Sequence, residues 1–133
     1  MGVIYEVATG GAPGAIGPYS QGVLCGGWLW VSGQIPLDPV SGRLVDGDMV
    51  VQVERVLENV GAILAGAGAG FADVVKTTIY LIDMNDFSVV NEVYGRYFVK
   101  PYPARATVGV MALPKGVRIE MDVVARVAGQ VSD

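Results

Sequence analysis

The chain has 133 residues, a net charge of −4, and 52% apolar residues against only 17% charged ones. This length fits one domain, and the high apolar content excludes intrinsic disorder. The chain has no histidine and one cysteine, which excludes histidine-dependent nucleophilic catalysis and cysteine-based metal sites within it.

The charge distribution bears on possible partners. An average domain has about 25% charged residues, so the low share here indicates that part of the surface is buried against copies of the same chain. The nine Lys and Arg residues form no basic cluster, which argues against nucleic-acid binding. No apolar run is long enough to span a membrane, and the first ten residues lack signal-peptide features, so we expect a cytoplasmic protein.

The first half of the chain predicts strands followed by a helix. Residues 3–7 indicate a short strand, and residues 23–25 and 28–32 flank Gly26-Gly27, which predicts a tight hairpin. Asp48 is the predicted N-cap of a helix that extends to about Ala65. The predicted buried positions of this helix recur at helical spacing and are Val50, Val53, Leu57, Val60 and Leu64. The predicted outward positions are Gln52, Glu54, Arg55 and Glu58.

The second half predicts a strand, a helix and two further strands. Residues 74–82 are rich in β-branched residues and favour a strand. A second helix should begin near Asp86 and end before Pro101 and Pro103. Its predicted buried side consists of Phe87, Val90, Tyr94, Tyr97 and Phe98. Strands are predicted at residues 105–111 and 117–127, which gives a mixed α+β fold with the helices on one face of one sheet.

Several side chains are candidates for chemistry. Arg105 lies between two alanines, which leaves room for its guanidinium to bind a carboxylate, although composition alone favours a surface arginine in a structural ion pair. Glu120 and Asp122 share the polar face of the last strand, which must meet either solvent or an interface cavity. Tyr19 lies in a Gly- and Pro-rich loop that can place a phenol over a pocket.

Two further positions carry weaker signals. Gly33, in Ser32-Gly33-Gln34, lets a ligand approach the backbone closely. Cys25, in a hairpin strand, is expected to be an inert buried thiol.

An ordered set of short motifs resembles the Rid family, also called YjgF-like, from about residue 16 to residue 125. The matching segments are Gly17-Pro-Tyr-Ser-Gln-Gly-Val23, Ser32-Gly-Gln-Ile-Pro-Leu-Asp-Pro39, Asn59-Val60, Asp73-Val-Val-Lys-Thr-Thr78, Asp86-Phe87, Val90-Asn91, Pro103-Ala-Arg-Ala106 and Leu113-Pro-Lys115. The resemblance implies one chorismate-mutase-like α+β domain over residues 1–133, with two helices on one face of a mixed sheet. It also implies a homotrimer with a central barrel and sites between subunits.

The sequence is most similar to the enamine/imine deaminases of that family. These hydrolyse 2-iminopropanoate, its enamine 2-aminoacrylate, and 2-iminobutanoate to 2-keto acids and ammonia. The resemblance implies no metal and no organic cofactor; the partners are the small-molecule substrate and further copies of the chain. The alternative is a non-enzymatic trimer of the same fold that binds small carboxylates. RNA cleavage, attached to some relatives, fits poorly with an acidic chain.

The resemblance also assigns roles by position. Arg105 resembles the arginine that binds the substrate carboxylate, Glu120 the acid that orients the attacking water, and Tyr19 the tyrosine that closes the site. The implied substrate-binding positions are Ser32, Gly33, Asn91, Ala106 and Thr107. Many deaminases of the family have cysteine where this chain has Thr107, so here only the backbone N–H would act.

Overall fold

Six strands and two helices are present in residues 2–127, the part of the chain that this computed structural model describes. The strands are β1 (Tyr5–Val7), β2 (Gly22–Cys25), β3 (Trp28–Gln34), β4 (Val74–Leu81), β5 (Ala104–Gly109) and β6 (Ile119–Arg126). The helices are α1 (Met49–Gly66) and α2 (Phe87–Tyr94). The predicted boundaries of the domain, residues 1–133, include Met1 and residues 128–133, which lie outside the described residues.

The strands form one mixed sheet in the order β1-β2-β3-β6-β4-β5. All neighbours are antiparallel except β4 and β5, which are parallel. Helix α1 packs on β3 and β6, and α2 packs against α1. This confirms the predicted α+β architecture with a mixed sheet and two helices.

The two faces of the sheet differ in burial. On β6, the alternate residues from Ile119 to Ala125 are fully or almost fully buried beneath α1, as the period of two predicts. Glu120 and Asp122 point to the opposite face, which is called the open face below, and both are half-buried. The core between sheet and helices is therefore built from one side of each central strand.

Local sequence signals explain where the first elements turn and begin. Gly26 and Gly27 have φ of 60° and 81°, the left-handed conformation that a two-residue hairpin requires, so the predicted hairpin is confirmed. Asp48 caps α1, because its carboxylate accepts a hydrogen bond from the Val51 N–H at 3.1 Å. The helix ends at Gly66, one residue beyond its predicted end near Ala65.

The second helix is shorter than predicted. It ends at Tyr94, so Tyr97 and Phe98 do not lie on its buried side but in the turn that follows. The Tyr97 N–H bonds to the Tyr94 carbonyl three residues back, which tightens the chain after Gly95 and ends the α-helical pattern. Phe98 is nevertheless buried, whereas Phe87, predicted on the buried side, is 36% exposed.

Other boundaries and burials also differ from prediction. Gln52 is buried and not directed outward, since its amide donates to the Val45 carbonyl of the preceding loop. The last strand begins at Ile119, because the turn at Pro114–Gly116 fixes Val117 in a small separate cluster. Cys25 lies in the predicted strand but is half-buried. Neither helix in residues 2–127 has the length and apolar content needed to cross a bilayer.

Candidate active site

Four of the predicted site residues line one cavity of about 370 Å³: Tyr19, Ser32, Gly33 and Glu120. Its floor is formed by β3 and β6, and its walls by the loop before β2 and the segments that follow β3 and precede β6. The other lining residues are Pro13, Gly14, Ile16, Gln21, Gln34, Ile35, Leu37 and Pro114. The cavity is thus largely apolar, with one carboxylate among its polar groups.

Glu120 lies directly over the backbone of Gly33. A Cβ atom built on Gly33 would be 2.0 Å from Oε2 of Glu120 and 2.8 Å from its Cδ. The pairing of β3 with β6 is irregular between Val31 and Gln34, and Gly33 lies in that irregular stretch. Glycine is therefore required at position 33 to keep the Glu120 carboxylate in this place, because any side chain would displace it.

The environment of Glu120 favours its protonated form. Burial in the cavity raises the pKa of the Glu120 carboxyl, and the nearby Asp122 carboxylate raises it further. Asp122 is itself held by the Tyr80 hydroxyl, which donates to Oδ2 at 2.9 Å. A carboxyl with a raised pKa is suited to accept a proton and return it during one reaction.

The loop that carries Tyr19 is fixed by the buried Gln21 amide. Its Nε2 donates to the carbonyls of Thr9, Ala12 and Pro13, at 3.1, 3.2 and 2.8 Å. The Ser32 hydroxyl joins the same loop to β3 by donating to the Ser20 carbonyl at 2.6 Å. The Tyr19 ring is 47% exposed, so its phenol lies at the mouth of the cavity.

Arg105 and Asn91 line a different cavity, of about 320 Å³, between α2 and β5. Tyr94, Gly95, Tyr102 and Pro103 complete it. The ion pairs in residues 2–127 involve Arg96 and Arg118 and not Arg105. The ion pair considered as an alternative for Arg105 is therefore not formed within these residues.

Ala106 and Thr107 line neither cavity. Both are half-buried in β5, where they pair with Thr78 and Ile79 of β4. The Thr107 hydroxyl oxygen is buried and has no hydrogen-bond partner among residues 2–127. Within one chain, the structure does not bring these two residues to either cavity.

The two cavities belong to opposite faces of the sheet. Arg105 pairs with Thr77, which is fully buried on the helix side, and Glu120 pairs with Tyr80. Thr77 and Tyr80 are three residues apart on one strand, so their side chains point to opposite faces. A single chain therefore does not place the guanidinium and the carboxylate around one small molecule.

Some functional neighbours were not identified from the sequence. The role of Gln21 in fixing the loop was missed, although it lies in the matched Gly17 to Val23 segment. The contacts of Arg105 with Phe87 and Tyr94 have no local sequence signal, because they join α2 to β5. In residues 2–127 no three His, Cys, Asp or Glu side chains are placed to hold a metal ion.

Comparison with known proteins adds to this geometry. Residues 9–127 match the family described as Endoribonuclease L-PSP. The human 2-iminobutanoate/2-iminopropanoate deaminase is 53% identical over 119 residues, which cover 90% of this chain and 87% of the human one. Protein DfrA of Myxococcus xanthus is 56% identical over 116 residues, 86% of this chain and 88% of its own.

Solved structures share the fold. The crystal structure of E. coli TdcF with bound serine matches with a TM-score of 0.87 and 42% identity. The match covers 92% of this chain and 98% of TdcF.

Proposed function

The chain belongs to the endoribonuclease L-PSP family, also called Rid or YjgF-like, and on that premise we propose that it is an imine deaminase. It hydrolyses 2-iminopropanoate and 2-iminobutanoate, with their enamine tautomers, to 2-keto acids and ammonia. The name of the human relative supports this substrate class. The serine bound to TdcF supports recognition of a small amino-acid-like carboxylate.

The observation that carries the proposal is that Glu120 and Arg105 line two separate cavities, each of which offers one half of the required chemistry. One cavity presents a carboxylate with a raised pKa, and the other presents an arginine that has no ion-pair partner in the described residues. Because they lie on opposite faces of one sheet, the complete site takes Glu120 from one copy and Arg105 from the next. A cyclic homotrimer, with the sheets around a central barrel, provides three such sites.

The open face of the sheet supports such an assembly. Trp30 is 55% exposed there beside Val124, and Val108 is 41% exposed on β5. The same face carries Tyr80 and Asp122, which are bonded to each other. Large apolar side chains left uncovered in a chain with few charges are typical of a surface that is buried against another copy.

The chemistry proceeds without histidine or metal. Arg105 binds the substrate carboxylate through two parallel N–H donors. Glu120 orients a water molecule and accepts its proton as the water oxygen attacks the carbon of the protonated imine, which leaves a neutral carbinolamine. Glu120 then returns that proton to the amino group. The C–N bond breaks and ammonia leaves as the hydroxyl proton passes to the Glu120 carboxylate and the C=O bond forms. Positioning and one acid–base group can supply a rate enhancement of about 10²–10⁴.

The remaining residues surround the substrate. Tyr19 closes the mouth of the cavity, and Ser32 and Gly33 form the part of its floor on which Glu120 lies. Asn91 lies beside Arg105 in the second cavity. Ala106 and Thr107 contribute through the β5 backbone next to Arg105, with the Thr107 side chain in place of the common cysteine.

A coupled assay tests the proposal. A dehydratase generates the imine from serine or threonine, and keto-acid formation is followed with and without this protein. Glu120→Gln should still bind pyruvate in calorimetric titration, while turnover falls by about 10²–10⁴ because the proton acceptor is lost. Arg105→Lys should lose binding and turnover together, by about ten- to a hundredfold, because the two-pronged contact is lost.

Two exposed residues provide matched controls. Glu58→Gln and Arg43→Lys make the same chemical changes away from both cavities and should behave as the parent does. A parent protein that binds pyruvate without accelerating keto-acid formation would contradict the deaminase and support a carboxylate-binding protein instead.

A further inference from the structure

The guanidinium of Arg105 is flanked by two aromatic rings of α2. Its Cζ atom is 5.0 Å from the ring centroid of Tyr94 and 5.5 Å from that of Phe87. The two aromatic residues are seven positions apart, which is about two helical turns, so they lie on the same side of the helix. That side faces β5, the edge strand that carries Arg105.

The Tyr94 ring is held in place at both its face and its hydroxyl. Its ring stacks on Phe98 at 4.3 Å between centroids, with 26° between the planes. Its hydroxyl and the Thr77 hydroxyl form a buried hydrogen bond of 2.9 Å. Thr77 is also the residue that pairs with Arg105 between β4 and β5. Thr77 thus connects the Tyr94 ring to the strand backbone that carries Arg105.

An aromatic contact differs from an ion pair because it leaves the N–H donors of the arginine free. A carboxylate partner would occupy the N–H donors of Arg105, whereas a ring interacts with the face of the guanidinium. Since no ion pair in residues 2–127 engages Arg105, its five N–H donors stay available to a planar carboxylate. The two rings restrict the orientation of the Arg105 guanidinium without competing for its N–H donors.

We infer that Phe87 and Tyr94 are positioning residues that orient Arg105 for carboxylate binding. This inference rests on the proposed function, because it assumes that Arg105 binds the substrate carboxylate. Phe87 is the more useful of the two for a test. It is 36% exposed at the first residue of α2, whereas Tyr94 is buried and its replacement would disturb the core.

The test compares the affinity for pyruvate, by calorimetric titration, with KM and kcat for the imine. Phe87→Leu should weaken pyruvate binding and raise KM by about two- to fivefold, the range of an exposed cation–π contact, with a smaller change in kcat. Phe87→Tyr keeps a ring and should restore both values to those of the parent. Phe71→Leu removes a ring that packs on Phe98 but does not contact Arg105, so it should leave binding unchanged.

A double-mutant cycle separates the inference from the proposed function. In an Arg105→Ala background, Phe87→Leu should have no further effect on pyruvate binding, because the group that it positions is gone. If Arg105→Ala weakens binding but Phe87→Leu has no effect in the parent protein, only the positioning role is wrong. The positioning role is also wrong if Phe87→Tyr fails to restore pyruvate binding, or if Phe71→Leu weakens that binding as much as Phe87→Leu does. If Arg105→Ala binds pyruvate as the parent does, the proposed function fails as well.

Discussion

Replacing Gly33 by alanine should displace the carboxylate of Glu120 without disturbing the fold. The added Cβ would lie 2.0 Å from Oε2, about 1.4 Å short of ordinary contact at 3.4 Å. Gly33 does not have a positive φ, so alanine can adopt its backbone conformation. The atom in the way is the end of a flexible side chain, so Glu120 moves and the strands stay paired.

The effect on catalysis should be much larger than the effect on stability. A shift of about 1 Å in a catalytic group can reduce the rate by about a hundredfold. We therefore expect kcat for imine hydrolysis to fall by about a hundredfold in Gly33→Ala. The added methyl group meets Glu120 and not Arg105, which the neighbouring copy supplies, so the affinity for pyruvate should fall by much less than kcat does.

The assay is the dehydratase-coupled formation of keto acid, together with calorimetric titration of pyruvate. Gly10→Ala is the matched control, because a Cβ at Gly10 meets no atom within 4 Å. A Gly33→Ala protein that turns over at the parent rate would refute the reasoning. It would mean that the position of Glu120 over Gly33 does not matter for the reaction.

Two further predictions concern stability. Because burial and Asp122 raise the folded-state pKa of Glu120, its protonated form favours folding, and the stability that this form contributes is lost as the pH rises through that pKa. Glu120→Gln should thus melt at a higher temperature than the parent at pH 8, with the difference narrowing as the pH falls towards 4.5; equal melting at both pH values would contradict this. Asn59 is fully buried and donates to two carbonyls of the loop after β3, so Asn59→Ala should lower the free energy of unfolding in urea by about 2–4 kcal/mol, with exposed Glu58→Ala as the control. A loss below about 0.5 kcal/mol would show that water replaces the amide.

The sequence predicts those elements whose signals are local. Gly26-Gly27 specifies a hairpin, and Asp48 specifies the start of α1, because each acts through its own backbone conformation or an immediate neighbour. The end of α2 was predicted wrongly, since Tyr97 and Phe98 have the spacing of a helix but pack from a tighter turn. Apolar spacing alone does not distinguish these two ways of burying the same rings.

In the candidate site, too, only the features with local sequence signals could be predicted. Tyr19, Ser32, Gly33 and Glu120 do line one cavity, whereas Arg105 lies elsewhere. Its place depends on the parallel pairing of β5 with β4, which joins segments far apart in sequence and sets the face of every side chain on the edge strand. A one-residue change of that register would move Arg105 to the open face, so no local motif could have determined its position.

Mixing two inactive variants tests most directly the claim that each active site is shared between copies. Arg105→Ala subunits keep Glu120, and Glu120→Gln subunits keep Arg105, so the proposed trimer, when assembled from both, contains some sites with both groups intact. Equal amounts of the two, unfolded and refolded together, should recover about a quarter of the parental rate of imine hydrolysis, since that share of the sites pairs the two intact halves. Each variant refolded alone should stay inactive. A mixture that stays as inactive as its components would contradict a site shared between subunits.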